Sequence, residues 1–183
     1  MSSASPKRAL PGDFTLSKPS QAALRVDHAG EYGATRIYAG QRAVLKHHAY
    51  ADQLKHMAEQ EEVHLAAFNK ILPEHGVRPT LLMPLWHVGG WLMGAVSAAI
   101  SPKAAMACTV AVEVVITAHY NEQLESGTLD PMLHSTIAKF RDEEMEHHDI
   151  GMAHEAEQAP LYGPLTTTIR HICKAAIWLS ARV

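Results

Sequence analysis

Residues 104–121 read Ala104-Ala-Met-Ala-Cys-Thr-Val-Ala-Val-Glu-Val-Val-Ile-Thr-Ala-His-Tyr-Asn121, and Glu113 is the only formally charged residue in this apolar run. The run contains no Pro or Gly and is long enough for about five turns of helix. A carboxylate buried in such a helix is costly unless a positive group lies beside it. No Lys or Arg lies nearby on the same helical face, so we expect the partner of Glu113 to be a metal ion held together with other parts of the chain.

Two Glu-x-x-His pairs occur elsewhere in the chain, Glu61 with His64 and Glu144 with His147. Residues three apart on a helix point the same way, so the carboxylate and the imidazole of each pair can bind one cation. The pairs alone are weak evidence, because a chain this rich in Glu and His contains about one such pair by chance.

The spacing of the acidic residues is stronger evidence. Glu113 precedes Glu144 by 31 residues, and Glu31 precedes Glu61 by 30. The chain therefore contains twice a Glu followed, about thirty residues later, by Glu-x-x-His. We interpret this repeat as the duplication of a helical hairpin.

Two tyrosines extend the repeat. Tyr38 follows Glu31 by seven residues, and Tyr120 follows Glu113 by seven. A separation of two helical turns places each tyrosine on the same face as its glutamate. Tyr120 is therefore a candidate site residue, with an ordinary core tyrosine as the alternative.

The complete pattern is the ligand set of ferritin-like dinuclear carboxylate proteins, in which two helices supply one Glu each and two supply Glu-x-x-His. A mixture of carboxylate and imidazole ligands favours iron or manganese over structural zinc. The sequence thus predicts an all-α, ferritin-like four-helix bundle of two repeated hairpins. The predicted metal ligands are Glu31, Glu61, His64, Glu113, Glu144 and His147.

The domain organisation follows from the repeat, because predicted turns near residues 47 and 127 lie midway between the ligands of each half. We predict helices over residues 21–46, 53–72, 102–125 and 131–158, with Ser20 and Asp52 as N-caps. A flexible tail is expected at 1–19 and a single domain at 20–183. The domain would comprise hairpin repeats 20–76 and 103–158, an apolar crossover helix 79–102 and a C-terminal amphipathic helix 165–182.

The crossover segment 79–102 carries no formal charge. Three interpretations remain open for it: a buried crossover helix, an apolar helix in a membrane interface, and a membrane span. Pro84, His87 and Ser97 make it a poor span. The C-terminal helix 165–182 would contact either the bundle or a membrane.

Several residues near the predicted ligands are expected to have roles other than binding the metal. Gly30 and Gly33 flank Glu31 and indicate close approach of a neighbouring helix, with a merely weakened helix as the alternative. His28, one turn before Glu31, stays open as a residue that supports a ligand. His148 is expected to contact solvent or a nearby acid. Four acidic residues are expected on a solvated helix face or in surface ion pairs: Glu59, Glu62, Glu143 and Glu146.

Composition excludes some classes of protein. The net charge is −3, which gives no basis for nucleic-acid binding. Cys108 and Cys173 form no Cys-x-x-Cys motif, so they are expected to stay reduced, as in a cytosolic or matrix-facing protein.

The sequence around these residues resembles that of the demethoxyubiquinone hydroxylase family, whose members are membrane-associated, ferritin-like di-iron monooxygenases of ubiquinone biosynthesis. The resemblance covers roughly residues 20–183 and implies the same six ligands, with Glu61 and Glu144 bridging two irons. It rests on Asp27-His-Ala-Gly-Glu-Tyr-Gly-Ala34, Ile37-Tyr-Ala-Gly-Gln41, Gln60-Glu-Glu-Val-His-Leu65, Cys108-Thr-Val-Ala-Val-Glu113 and Phe140-Arg-Asp-Glu-Glu-Met-Glu-His-His-Asp-Ile-Gly151.

The resemblance implies hydroxylation of the ring of 2-polyprenyl-3-methyl-6-methoxy-1,4-benzoquinol, with two iron ions as cofactor, O2 as co-substrate and NADH as reductant. No nucleotide-binding fingerprint occurs in the sequence, so an NADH site would be a surface groove rather than a Rossmann domain. The expected partners are the polyprenylated quinol and a membrane interface, while a lipid-binding partner protein and a homo-oligomer remain open.

The expected location is peripheral, on the cytoplasmic face of a bacterial inner membrane or the matrix face of the mitochondrial inner membrane. The alternatives are a ferritin-like ferroxidase or iron-binding protein without an organic substrate, and a helical membrane-docking scaffold without metal.

Overall fold

The computed structural model describes residues 16–183, which are helical and contain no strand within that range. The all-α prediction is confirmed. Six α-helices and one short 3-10 helix follow each other: α1 Lys18–Leu45, α2 Ala51–Glu74, α3 Met83–Ile100, α4 Pro102–Glu125, α5 Pro131–Ala153, the 3-10 helix Ala156–Gln158 and α6 Tyr162–Ser180. Most of the tail predicted at 1–19 lies outside the described residues, but residues 18 and 19 already belong to α1.

The helices form two hairpins with two further helices packed against them. α1 pairs with α2 and α4 pairs with α5, while α3 lies against α1 and α4, and α6 lies against α4 and α1. This arrangement agrees with a ferritin-like bundle. α4 is the central helix, since most of its residues are buried.

α4 is also the one helix within residues 16–183 that is long and apolar enough to cross a membrane. In the structure 67 % of that apolar window is buried inside the protein. Packing against the other helices therefore accounts for its composition.

Several predicted helix ends differ from the structure. α1 begins at Lys18, with Ser17 rather than Ser20 as its N-cap, because Pro19 fits the first turn of a helix. Asp52 lies within the first turn of α2, and Tyr50 is the N-cap. α2 continues through Pro73 to Glu74 instead of ending at Leu72.

The last helix of the second hairpin is shorter than predicted. α5 ends at Ala153, and only a 3-10 turn covers residues 156–158. Glu155 has a φ of 62°, a left-handed conformation that cannot continue an α-helix.

Residues 79–102 contain the helix α3 between the two hairpins, but its exposure does not fit the first of the three interpretations, a buried crossover helix. α3 buries its small residues, Gly90, Gly94, Ala95, Ser97 and Ala98. Its large apolar side chains are exposed, among them Leu85, Val88, Leu92, Val96 and Ile100, which are 48–57 % exposed. α3 therefore packs through small residues and presents an apolar outer face.

Close approach between helices occurs at other glycines than those predicted. A Cβ at Gly30 or Gly33 would meet nothing within 4 Å, whereas a Cβ at Gly40 would overlap the carbonyl oxygen of Trp91. A Cβ at Gly94 would overlap the carbonyl oxygen of Ile37. The glycines whose missing Cβ lets α1 and α3 approach are therefore Gly40, Gly90 and Gly94, and the Gly90 contact is with the carbonyl oxygen of Gly33. The Cβ positions of Gly30 and Gly33 themselves face an open cavity.

Candidate metal centre

The structure brings all six predicted ligands together in the interior of the bundle. Each is at most 1 % exposed. They form two groups, and within each group the ligand atoms all lie within 4.8 Å of one another. One group is Glu31, Glu61, His64 and Glu144, and the other is Glu61, Glu113, Glu144 and His147. Glu61 and Glu144 belong to both groups, so they are the two carboxylates that a pair of cations would share.

The Nδ1 atoms of the two histidines face the carboxylates. His64 Nδ1 lies 3.0 Å from Glu144 Oε1 and 3.3 Å from Glu31 Oε2. His147 Nδ1 lies 3.2 Å from both Glu61 Oε1 and Glu144 Oε2. Both imidazoles would therefore bind a cation through Nδ1.

The opposite ring nitrogens are held by a neighbouring helix. His64 Nε2 lies 2.9 Å from Glu143 Oε2, and His147 Nε2 lies 2.9 Å from Gln60 Oε1. Such contacts fix the orientation of a metal-binding imidazole. Glu143 forms an ion pair with Lys139 at 3.4 Å, as one of the two interpretations of the sequence allowed. The contact of its other oxygen with His64 was not predicted.

Gln60 and Glu143 occupy equivalent positions of the repeat, directly before the Glu of each Glu-x-x-His pair. Each holds the histidine of the other repeat. The sequence contained a signal for this role in their shared position, although it did not show which histidine they would reach.

The two tyrosines of the repeat also reach across the bundle. The Tyr38 hydroxyl donates to Glu113 Oε1 at 3.0 Å, and the Tyr120 hydroxyl donates to Glu31 Oε1. Both tyrosines are buried. Tyr120 thus contacts a predicted ligand, and its catalytic role stays a prediction.

The polar atoms of the cluster fit a pair of cations. Six of them are buried with no hydrogen-bond partner among residues 16–183: Glu31 Oε2, Glu61 Oε1 and Oε2, Glu113 Oε2, Glu144 Oε2 and His147 Nδ1. Buried polar atoms without partners are rare, and a bound ion is one of the groups that satisfies them. Four ionised carboxylates would carry four negative charges, which two divalent cations balance.

The pKa directions express the same excess of negative charge. Burial, followed by repulsion from Glu144, raises the pKa of Glu61 and of Glu113 well above the usual value of a glutamate. Burial alone would also raise the pKa of Glu144, but its close contacts with the His147 and His64 imidazoles outweigh burial and lower that pKa to about 2. Burial alone would lower the pKa of His64, but the nearby carboxylates of Glu144 and Glu31 raise it to about 11.

An apolar cavity of about 530 Å³ lies beside the cluster, between α1, α3, α4 and α6. Gly30, Gly33 and Tyr120 line it, so the cavity begins next to Glu31. Leu92 and Ile172 also line it and are about half exposed. The cavity therefore extends from the cluster of carboxylates and histidines to the exposed apolar surface of α3 and α6.

The model of the family described as "Ubiquinone biosynthesis protein COQ7" matches residues 18–180. The chain belongs to this family. A COQ7-family relative, the 3-demethoxyubiquinol 3-hydroxylase of Rhodospirillum rubrum, is 51 % identical over 176 residues, which cover 95 % of this chain and 83 % of the relative.

Two eukaryotic members of the COQ7 family are equally similar. Both are named NADPH-dependent 3-demethoxyubiquinone 3-hydroxylase, mitochondrial. The one from Dictyostelium discoideum is 52 % identical over 164 residues, covering 87 % of this chain and 76 % of the relative. The one from Homo sapiens is 51 % identical over 179 residues, covering 93 % and 82 %.

Two other histidines, His28 and His148, lie outside the cluster of six predicted ligands. His28 Nε2 contacts Asn69 Oδ1 at 3.1 Å and is in neither ligand group. His148 Nδ1 contacts Asp149 Oδ1 at 3.0 Å in an exposed position. Cys108 and Cys173 are both free thiols.

Replacing Glu143 by Gln is expected to weaken metal binding about 10-fold, the lower end of the range for residues that hold a metal-binding imidazole. The amide keeps the shape of the side chain but removes the charge that attracts the Nε2 proton of His64. Titration of the metal-free protein with Fe(II) under anaerobic conditions measures the change. Glu146→Gln is the control, because Glu146 is exposed and its contact with His56 is long, at 3.9 Å. Equal affinity in both variants would contradict the role of Glu143.

Proposed function

We propose that this chain is a di-iron, O2-dependent monooxygenase that hydroxylates the ring of demethoxyubiquinol in ubiquinone biosynthesis. The names of its relatives support the reaction and the substrate. The observation that carries the metal assignment is the pair of buried ligand groups sharing Glu61 and Glu144. Bound iron would supply the redox chemistry with O2.

The residues of the chain contribute geometry and exclusion of water. The six ligands come from four helices packed against each other, which fixes their positions before a cation binds. Their burial keeps bulk water away from the reacting ring. The adjoining cavity would hold the ring, because it is lined mainly by apolar residues and reaches Tyr120 next to Glu31.

The outer surface of α3 and α6 supports delivery of a polyprenylated quinol from a lipid phase. Exposed apolar residues lie on both helices, including Val88 and Val96 on α3 and Ile172 and Trp178 on α6. Exposed apolar residues on the two helices that border an apolar cavity are suited to a membrane interface. We therefore propose peripheral attachment through this face, as the sequence predicted.

The reductant is proposed to be a reduced nicotinamide nucleotide. The sequence resemblance implied NADH, whereas the names of the human and Dictyostelium relatives specify NADPH. Both nucleotides deliver the same two electrons. The side of the membrane, a lipid-binding partner protein and a homo-oligomer stay predictions.

The ferroxidase alternative is less well supported. A ferroxidase needs no organic substrate and hence no apolar cavity of about 530 Å³ beside the metal cluster. The relatives are named as hydroxylases rather than as iron-storage proteins.

The test is to load the purified chain anaerobically with Fe(II) and to add a short-tailed demethoxyubiquinol analogue and O2, with NADH and NADPH in separate arms. We expect a product that has gained one oxygen atom from labelled O2, detected by mass spectrometry, and no product with Glu113→Ala. Oxidation of Fe(II) with the quinol unchanged would instead establish the ferroxidase.

A further inference from the structure

One polar group interrupts the apolar wall of the cavity. Asp27 and His119 line the cavity together, and His119 Nε2 lies 3.1 Å from Asp27 Oδ1. Gln123 Nε2 donates to the same oxygen at 2.6 Å. Asp27 is 3 % exposed and lies one helical turn before Glu31, while His119 directly precedes Tyr120. This polar group therefore sits next to the metal cluster.

The group has unused hydrogen-bonding capacity. Asp27 Oδ2 is buried without a hydrogen-bond partner among residues 16–183. His119 Nε2 is near Asp27 but is not aligned for a hydrogen bond, and it has no other partner within the same range. A free acceptor and a free ring nitrogen lie side by side at the wall of a cavity. A hydroxyl group, which donates one hydrogen bond and accepts others, matches such a pair.

We propose that Asp27 and His119 bind a ring hydroxyl group of the quinol and so set which ring carbon faces the metal cluster. This inference rests on the proposed function. The hydroxyl donates to Asp27 Oδ2 and accepts from His119 Nε2, and Gln123 holds the carboxylate in place. Asp27 and His119 are thus substrate-binding residues that orient the ring, whereas the metal ligands are separate from them.

The electrostatics of the pair agree with this arrangement. Burial alone would lower the pKa of His119, but its contact with the Asp27 carboxylate raises the pKa overall, which favours a proton on Nε2. Burial raises the pKa of Asp27, although its contacts with His119 and Gln123 oppose that rise. A hydroxyl donor at Oδ2 would compensate part of the cost of burying this carboxylate.

The test pairs a change in the ligand with a change in the protein. The probes are 2-decyl-3-methyl-6-methoxy-1,4-benzoquinol and its 1,4-dimethyl ether, which fits the same cavity but cannot donate a hydrogen bond. Binding to the full, metal-free chain is measured anaerobically through tryptophan fluorescence, because Trp86 lines the cavity. We expect the wild-type chain to bind the quinol at least about 10-fold more tightly than the ether, as one charge-assisted hydrogen bond allows.

Asp27→Asn is expected to reduce that preference to less than about 3-fold. The asparagine oxygen can keep the bond from Gln123, while its NH2 group replaces the free acceptor and cannot take the proton of a ring hydroxyl. His119→Gln is the second variant and should reduce the preference in the same direction. Asp130→Asn is the control, because Asp130 lies 3.9 Å from a histidine, His75, outside the cavity, and asparagine also serves as an N-cap.

Helical circular dichroism verifies that each variant is folded. Folded Asp27→Asn and His119→Gln chains that keep the full preference would overturn the inference, as would a wild-type chain with no preference. If the iron-loaded wild-type chain hydroxylates the quinol in either case, the proposed function stands and only the assignment of Asp27 and His119 fails. A wild-type chain that binds the quinol selectively but never hydroxylates it would instead contradict the proposed function.

Discussion

Replacing Glu61 by Gln is expected to remove both metal ions, whereas replacing Glu31 by Gln is expected to remove one. Glu61 belongs to both ligand groups and Glu31 to only one. A neutral amide is a much weaker ligand than a carboxylate, and the change also leaves the cluster with one negative charge fewer. We expect kcat/KM of Glu61→Gln to fall at least about 1,000-fold, because the metal supplies several kcal/mol of the catalytic effect. Metal analysis after anaerobic loading gives the number of ions per chain.

Unfolding of the variant can be separated from loss of metal. Burial and repulsion from Glu144 and Glu31 raise the pKa of Glu61, so its ionised form destabilises the metal-free fold. A raised pKa means that this cost is absent at low pH and grows as pH rises through the folded-state value. Glu61→Gln should therefore be as stable as the metal-free wild type, or more stable, at neutral pH. Glu62→Gln is the control, because Glu62 is the exposed neighbour of Glu61. Two ions bound to Glu61→Gln would contradict the bridging position.

The positions of the proposed ligands could be predicted because they depend on the geometry of single helices. The i, i+3 spacing of Glu61 with His64 places both side chains on one face whatever the helix packs against. Glu113 was given by its apolar surroundings, the repeat then gave Glu31 by its distance in sequence, and the structure places all of these residues in one cluster. The same logic gave Tyr120, which contacts Glu31.

Contacts between helices could not be predicted in the same way. Whether Glu143 faces water or His64 depends on the rotation and height of α5 against α2, which no spacing within one helix determines. The hydrogen bond from Tyr38 on α1 to Glu113 on α4 likewise depends on how the two helices pack. The one sign in the sequence that Gln60 and Glu143 share a role is that they hold equivalent positions in the repeat.

The sequence left open whether α3 is buried or presents an apolar face outward. Its many apolar residues fit both interpretations, but its small residues Gly90, Gly94 and Ala98 recur every four positions. That spacing forms one narrow face of a helix and lets another backbone approach closely. The face packs on α1, so the large side chains of α3 point away from it and remain exposed. Hydrophobicity alone did not reveal which residues make the contact.

Replacing Gly94 by Ala is accordingly expected to lower the free energy of unfolding by about 1–2 kcal/mol. An alanine gains about 1 kcal/mol over glycine in helix propensity. Its Cβ, however, would overlap the carbonyl oxygen of Ile37 and lie 2.7 Å from the carbonyl carbon. Backbone atoms of a long helix cannot move aside as a flexible side chain can, and overpacking commonly costs about 1–3 kcal/mol and sometimes more. The clash therefore exceeds the gain, and a larger residue, as in Gly94→Val, should separate α3 from α1.

Gly89→Ala is the matched control on the same helix. A Cβ at Gly89 would meet nothing within 4 Å, so this variant has the gain in helix propensity without the clash and should be as stable as the wild type or more stable. Urea unfolding followed by circular dichroism compares the two alanine variants. Hydrogen exchange in α3 shows whether this helix opens before the rest of the bundle. Equal stability of Gly94→Ala and Gly89→Ala would contradict the close contact between α1 and α3, and with it the position of the helix that forms one wall of the cavity.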